Sequence, residues 1–197
     1  SLKAHQRIVF NGNGYSEEWE AEAARRGLAN NRTTADALPC YVALERIALF
    51  ETMGVMSEPE VCSRYEVKLE KYNKLVNIEA RVMQRMAHRT YLPAINAFAR
   101  ETAEGLQAFK AASPSGKVRQ QQSLLDALLE GIDRIDLALS AMEARMDEAC
   151  AIEDQQERAN HNAHVLLPAM ERLRAEVDAV EGIVGRDRWP VPSYNNM

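Results

Sequence analysis

The chain has 197 residues, of which 46% are hydrophobic and 6% aromatic, and its formal net charge is −5. This length can bury a core without disulfides, and three cysteines with no CxxC pair argue against a zinc knuckle or a secreted disulfide framework and for reduced, cytoplasmic thiols. Interspersed charges of both signs and the lack of an 18-residue apolar run argue against a nucleic-acid partner and a membrane span.

The N-terminal region predicts a loop followed by two short helices. Asn11–Gly14 is a turn sequence, and Ser16 can cap a helix that ends at Gly27. Leu38-Pro39 opens a second predicted helix, which continues to Met53 and stops at Gly54.

A capping box marks the start of a much longer helix. In Ser57-Glu58-Pro59-Glu60 the serine and the last glutamate can satisfy each other's backbone amides. The helix continues to a stop at Ser113–Gly116, and Pro93 should kink it because proline lacks an amide donor. Its apolar positions are Val61, Tyr65, Leu69, Tyr72, Val76, Ile95, Phe98, Leu106 and Phe109.

Two further helices carry regular apolar seams. In the first of them apolar residues recur at alternating steps of three and four, which is the spacing of a helix that packs along a partner helix. These residues are Leu125, Leu128, Ile132, Ile135, Leu139, Met142, Met146 and Ala149. The last helix is predicted to begin near Asp154, which pairs with Glu157 in capping-box spacing, and to end at Gly185. Its seam consists of Leu166, Met170, Leu173, Val177, Val180 and Val184.

Together these elements predict an all-α protein: a long antiparallel three-helix bundle with two short helices and a loop segment at its N-terminal end. The predicted parts are residues 1–56, the bundle 57–185 and a Pro-containing tail 186–197. The first and last helices should run parallel, and equal helix lengths place Pro93 and Pro168, both in Leu-Pro-Ala motifs, at one height along the bundle.

Few residues in the sequence indicate a catalytic or ligand-binding role. His161 and His164, with Glu157, have a spacing that could put two imidazoles and a carboxylate on one helix face, but matching ligands on other helices are missing from the sequence. Asn11–Gly14 lacks the remaining residues of a phosphate-binding loop, and no nucleophile elbow occurs. The sequence therefore assigns no catalytic, cofactor-binding or metal-binding residue.

Four stretches resemble one family. They are the segment from Lys3 through Ser16-Glu17-Glu18-Trp19, the segment Thr33–Pro39, the segment Leu49–Ser57 and the tail Arg188-Trp189-Pro190-Val191-Pro192-Ser193-Tyr194. Their order and spacing, with the two Leu-Pro-Ala motifs, resemble the C-terminal part of type III glutamine synthetases. The ending Asn195-Asn196-Met197 departs from the family's usual acidic and apolar ending.

The resemblance implies a parent enzyme that joins ammonia to glutamate with ATP and a divalent metal, Mg or Mn, in large cytoplasmic homo-oligomers. It also implies that the catalytic residues lie upstream of Lys3, so none can be carried over to this sequence. The expected partners are the catalytic domain of the same chain and other copies of the enzyme.

Three functions are thus open. The first is a helical domain that braces such a synthetase, shapes its oligomer and lacks an active site of its own. The second is a free-standing helical module that binds a partner helix. The third is a metal-binding bundle that uses His161 and His164.

Overall fold

A computed structural model describes residues 2–192, and within this range the chain is helical and contains no strand. It forms two compact units, Ser1–Tyr65 and Glu66–Met197. The predicted division into residues 1–56, 57–185 and 186–197 stays a prediction. None of the helices in the described range is both long and apolar enough to cross a membrane.

The first unit is a series of short helices. They are a 3₁₀-helix Leu2–Ile8, α1 Glu17–Arg25, α2 Thr34–Ala37, a 3₁₀-helix Leu38–Val42, α3 Leu44–Thr52 and the first turns of α4, which spans Glu58–Met86. The predicted cap at Ser16 is confirmed, because its hydroxyl accepts from the amide of Trp19. Gly27 and Gly54 follow α1 and α3 at φ +70° and +64°, a left-handed backbone that suits glycine at a helix end.

The single helix predicted from Leu38 to Met53 is wrong. A 3₁₀-helix and α3 replace it, and they are separated at Ala43, whose ψ of 134° is extended. Thr33 instead caps an earlier helix, α2, in the stretch before Leu38 where no helix was predicted. Pro39 lies in the first turn of the 3₁₀-helix, where no amide donor is needed.

The second unit contains most of a bundle of three rods, the first of which begins within the first unit. The first rod is α4, a π-helical turn Ala87–Tyr91 and α5 Leu92–Ala112; the second is α6 Arg119–Ala151; the third is α7 Gln155–His161, a π-helical turn Asn162–Leu166 and α8 Leu167–Glu181. We call Ala87–Tyr91 the first π-turn and Asn162–Leu166 the second π-turn.

Contacts between side chains establish the antiparallel order. Lys110 and Gln84 of the first rod reach Gln122 and Glu143 of the second, so the two rods run in opposite directions. Glu148 of α6 likewise contacts His161 near the start of the third rod. The fold class is therefore confirmed.

The predicted seams form the core. All six residues predicted for the last helix are buried, as are six of the eight predicted for α6, with Leu125 and Ile132 packed half-buried against them. Phe109 is an exception: it is 53% exposed in the last turn of α5, so the seam of the first rod ends at Leu106. Asp154 caps α7 through the amide of Glu157, as predicted.

Two rods approach closely at a glycine. A Cβ added at Gly131 of α6 would lie 2.5 Å from Cγ2 of Val180 on α8. Real Cβ atoms do not come so near a neighbouring carbon, so only glycine allows this spacing.

The expected level alignment of the two prolines is wrong. The first and third rods are parallel, but Asn73 contacts Asn162, 89 positions later, and Gly185 approaches the ring of Phe98, 87 positions earlier. This register places Pro168 beside about residue 80, roughly 20 Å from Pro93 at 1.5 Å per residue. The estimate from helix lengths placed the start of the third rod too far along the first.

Each proline follows a π-turn rather than a simple kink. The amides of Leu92 and Leu167 donate to the carbonyls of Ala87 and Asn162, five residues earlier. In an α-helix the ring of the next residue, proline, would press on a carbonyl four positions back. The wider π-turn is a recognised way to fit an interruption into a helix, and it keeps both rods continuous.

Candidate functional site

A cluster of buried amide side chains joins the first and third rods. The Nδ2 of Asn73 donates to both the backbone carbonyl and the Oε1 of Gln155, at 3.0 and 2.9 Å. The Nδ2 of Asn162 donates to the Oδ1 of Asn73 at 3.0 Å. Asn73 and Asn162 are 5% and 2% exposed, so these two amides lie inside the bundle, and Gln155 is half-buried beside them.

One oxygen of this cluster is unpaired. The Oδ1 of Asn162 is buried and has no hydrogen-bond partner among the described residues. If the Asn162 amide were turned over, its Oδ1 would face the Oδ1 of Asn73, and two acceptors cannot bond to each other. The orientation of Asn162 is therefore fixed by Asn73. The free carbonyl oxygen therefore needs a donor from outside the cluster.

Asn162 lines a cleft that opens beside the cluster. The cleft holds about 180 Å³ and is bounded by α4, the C-terminal turns of α6 and the start of the third rod. Its lining includes the charged residues Glu70, Lys74 and Arg158 as well as the amides. This site was not predicted from the sequence. The available signal was Asn73 itself, an amide between Leu69 and Val76 on the apolar face of the helix.

The two histidines considered as metal ligands are engaged differently. The Nε2 of His161 lies 3.2 Å from Oε2 of Glu148 on the neighbouring rod, whereas His164 is exposed within the second π-turn. Over residues 2–192, no three His, Cys, Asp or Glu side chains come together as a metal site would require.

A second His–Glu contact lies at the first π-turn. His88 Nε2 is 2.8 Å from Oε1 of Glu143, which also accepts from Nε2 of Gln84 at 2.9 Å. The hydrogen bonds from Gln84 and His88 lower the pKa of Glu143 below its ordinary value. The carboxylate thus ties α6 to the first rod.

The first π-turn also borders a mainly apolar cleft. Met83, Tyr91, Leu173 and Val177 line this space of about 260 Å³ between the first and third rods, together with the charged residues Arg174 and Asp178. Tyr91 stacks on Trp189 with ring centroids 5.3 Å apart, and burial raises the pKa of its hydroxyl.

The tail follows this stack. Trp189 of the predicted tail motif packs against the core. Tyr194 of the tail motif and the ending Asn195–Met197 lie outside the described residues.

Asn11–Gly14, considered as a phosphate loop, is a locally bonded turn. The amide of Tyr15 donates to Oδ1 of Asn13, and the hydroxyl of Ser16 donates to the carbonyl of the same residue. The amide of Ser16 is bonded to that carbonyl as well. These groups are used within the turn.

Comparisons with known proteins agree with one another. Residues 1–110 match the family model of the glutamine synthetase C-terminal domain. The whole chain is similar to a glutamine synthetase from Butyrivibrio fibrisolvens at 32% identity and to a type-3 glutamine synthetase from Dictyostelium discoideum at 31%. A glutamine synthetase from Bacteroides fragilis (strain YCH46) is 29% identical over the whole chain. The chain spans only 27–28% of the length of these relatives.

Proposed function

The chain belongs to the glutamine synthetase C-terminal domain family, and from this premise we propose that it serves a type III glutamine synthetase as a rigid helical domain that braces the catalytic body and shapes the oligomer. In this proposal the segment contributes stiffness and contact surface and no catalytic, cofactor-binding or metal-binding residue. Family membership favours this role over a free-standing interaction module.

The observation that supports the proposal is that the side chains of the bundle mainly pack and bond its three rods to one another. Most residues of its three seams are buried, and contacts between polar side chains such as Arg134–Glu176 and His88–Glu143 tie neighbouring rods together. Long helices locked at several heights resist bending, because packed interiors deform little. Such a body suits a mechanical task.

For the complete protein we propose the activity that the relatives' names indicate. It would join ammonia to L-glutamate to give L-glutamine, with ATP and Mg²⁺ or Mn²⁺ bound by parts of the enzyme outside this segment. It would work in the cytoplasm as a homo-oligomer, with the catalytic domain of the same polypeptide as the first partner of this chain.

The test compares two substitutions in α6 of the complete enzyme. Ile135→Asp places a charge in the centre of the core, where Ile135 is fully buried, and should unfold the bundle. We expect it to abolish both oligomer assembly, measured by light scattering, and glutamine formation. Leu137→Asp, two residues away and 72% exposed, is the matched control and should leave both unchanged.

The same assay is applied to the 197-residue chain alone, which should form no glutamine from glutamate, ammonia and ATP. Turnover by this chain would overturn the division of labour. An Ile135→Asp enzyme whose circular dichroism shows a melted bundle, but which still assembles and turns over normally, would overturn the bracing role.

A further inference from the structure

We propose that this chain associates with a second copy of itself through the outer faces of two helices, with α4 of one copy lying parallel beside α6 of the other. The inference rests on the oligomer-shaping part of the proposed function and deepens it, because it names the two surfaces that meet.

A row of exposed side chains lies on the outside of α4, away from the core. Ala80 is fully buried, whereas Ile78, two positions earlier and so about 200° around the helix, is 57% exposed. A second apolar face on a helix indicates a second packing partner. We call this row the basic stripe, and its residues are Val67, Lys71, Leu75, Ile78, Val82 and Arg85.

The charges of the basic stripe are not neutralised within the chain. Lys71 and Arg85 are 14 positions apart, which is about 21 Å along the helix. Neither makes a hydrogen bond or an ion pair with any residue between 2 and 192. A partner that complements this face therefore combines apolar side chains with carboxylates at a similar separation.

The outer face of α6 has these properties. Ile135 is fully buried and Leu137, two positions later, is 72% exposed, so Leu137 lies on the outside of the bundle. Asp133 and Asp147 share this face, again 14 positions apart, and neither has an ion pair or hydrogen bond in the part of the chain that the structure describes. We call this face the acidic stripe, and its residues are Leu129, Asp133, Leu137, Ser140, Ala144 and Asp147.

The charged positions of the two stripes coincide. Both stripes advance by steps of 4, 4, 3, 4 and 3 residues, so each residue of the acidic stripe comes 62 positions after its counterpart in the basic stripe. Two parallel helices keep such counterparts level along their length. Lys71 then lies beside Asp133, and Arg85 lies beside Asp147. Both unpaired cations thus meet unpaired carboxylates.

The apolar positions between the charges coincide as well. Leu75 lies beside Leu137, while Ile78 and Val82 lie beside the smaller Ser140 and Ala144. Small side chains opposite large ones allow two helices to approach closely.

The opposite direction fits less well. If α4 and α6 of two copies were antiparallel, with the same charges paired at the ends, Leu75 would lie beside Glu143 and Leu137 beside Arg81. Apolar side chains would then face charged ones, so the match favours the parallel arrangement.

Sedimentation of the 197-residue chain at increasing concentration tests the contact. We expect a monomer at about 1 µM and association between about 10 µM and 1 mM, because one pair of helices buries too little surface for a tight complex. Raising the salt concentration from about 0.05 M to about 0.5 M should weaken the association, since exposed ion pairs are screened.

Two charge-reversed variants localise the contact. Lys71→Glu with Arg85→Glu makes both stripes acidic, and Asp133→Lys with Asp147→Lys makes both stripes basic. Each variant alone should associate at least about tenfold more weakly than the wild type, because like charges meet. An equimolar mixture of the two should associate again. All four side chains are exposed, so both variants should keep the wild-type unfolding midpoint, which is measured first.

The matched control reverses two charges outside both stripes. Lys117 precedes α6 and Arg172 lies on α8, and both are exposed. Lys117→Glu with Arg172→Glu changes the net charge as much as the basic-stripe variant does and should associate like the wild type. Leu137→Asp, the control of the bracing test, adds a carboxylate to the acidic stripe, where it faces the basic stripe, and should also keep the contact.

Three results would overturn the proposal. They are a monomeric wild-type chain up to about 1 mM, which would indicate that another part of the enzyme covers the basic stripe, wild-type association by the Lys71→Glu, Arg85→Glu variant, and a mixture of the two variants that does not associate. These measurements need neither the catalytic domain nor turnover, so their failure leaves the bracing role standing. Failure of the Ile135→Asp test in the complete enzyme likewise leaves the contact between copies standing.

Discussion

The first π-turn and the second π-turn each end two residues before a proline, yet their surroundings differ. The first begins with Ala87 and ends with Tyr91, which is half-buried and stacks on Trp189. The second begins with Asn162, which joins the amide cluster, and ends with Leu166, which is 2% exposed. The first turn borders a cleft lined mainly by apolar side chains, and the second borders a cleft lined mainly by polar and charged ones.

The difference shows which features are local. Proline forces the wider turn in both rods, because its ring and its missing amide act on the preceding residues wherever the helix lies. The surroundings depend on register, and a register of about 88 residues puts the two turns at different heights. The same π-turn therefore occurs next to an aromatic stack in one rod and next to the amide cluster in the other.

The largest expected effect is at Leu166, two positions before Pro168, and it is compared with Tyr91 at the same position before Pro93. Leu166→Ala should lower the free energy of unfolding by about 3 kcal/mol, as cavity formation at a buried leucine does. Tyr91→Ala should cost about 1–2 kcal/mol, because the ring is half-buried and loses mainly its stack and part of its apolar contact. Urea denaturation measures both.

Leu137→Ala serves as the control for this comparison, since its side chain is 72% exposed and should change stability by less than about 0.5 kcal/mol. Equal losses for Leu166→Ala and Tyr91→Ala would contradict the difference in burial, because they would show that the two turns are packed alike.

A smaller effect is expected at the residue that begins the second turn. Asn162→Ala installs the residue found at the same position of the first turn and leaves Oδ1 of Asn73 buried without its donor. We expect a loss of about 2 kcal/mol. The double variant Asn73→Ala, Asn162→Ala should lose less than the sum of the two single variants, because they remove one shared hydrogen bond. A strictly additive result in denaturation would show that the amides are not coupled.

The smallest effect concerns the His–Glu contacts beside the two turns. Hydrogen bonds from Gln84 and His88 lower the pKa of Glu143, and those from Arg145 and His161 lower the pKa of Glu148. A carboxyl whose folded pKa is lowered adds stability above its unfolded pKa of about 4.5, and this stability is lost as the pH falls through the folded value.

Glu143→Gln should therefore reduce the slope of unfolding free energy against pH below about 4.5, and Glu148→Gln should reduce it less, because Glu148 is more exposed to solvent. Denaturation series at neutral and acid pH give the slopes. A larger change for Glu148→Gln would reverse the ranking of the two contacts.

Much of the fold was readable in the sequence. The capping serine at Ser16, the glycines at Gly27 and Gly54 and the acidic cap at Asp154 mark helix ends through bonds made within one turn. The seams of α6 and α8 follow from 3.6-residue periodicity. The separate helix α2 was missed because a four-residue helix has too few positions to show a period.

The site was largely beyond sequence reasoning. Asn73 and Asn162 are 89 positions apart, and neither neighbourhood hints that one amide donates to the other. The histidine spacing at His161 and His164 suggested a ligand pair, but the contact of His161 is a glutamate on another helix.

The sequence by itself determined the helices, their ends, the faces that turn inward and the two places where proline interrupts them, because caps, periodicity and ring geometry act over a few residues. Only the tertiary structure decided the height at which the parallel first and third rods meet, since that depends on contacts between distant residues such as Asn73 and Asn162. The amide cluster, the cleft beside it and the difference between the two turns all depend on this register.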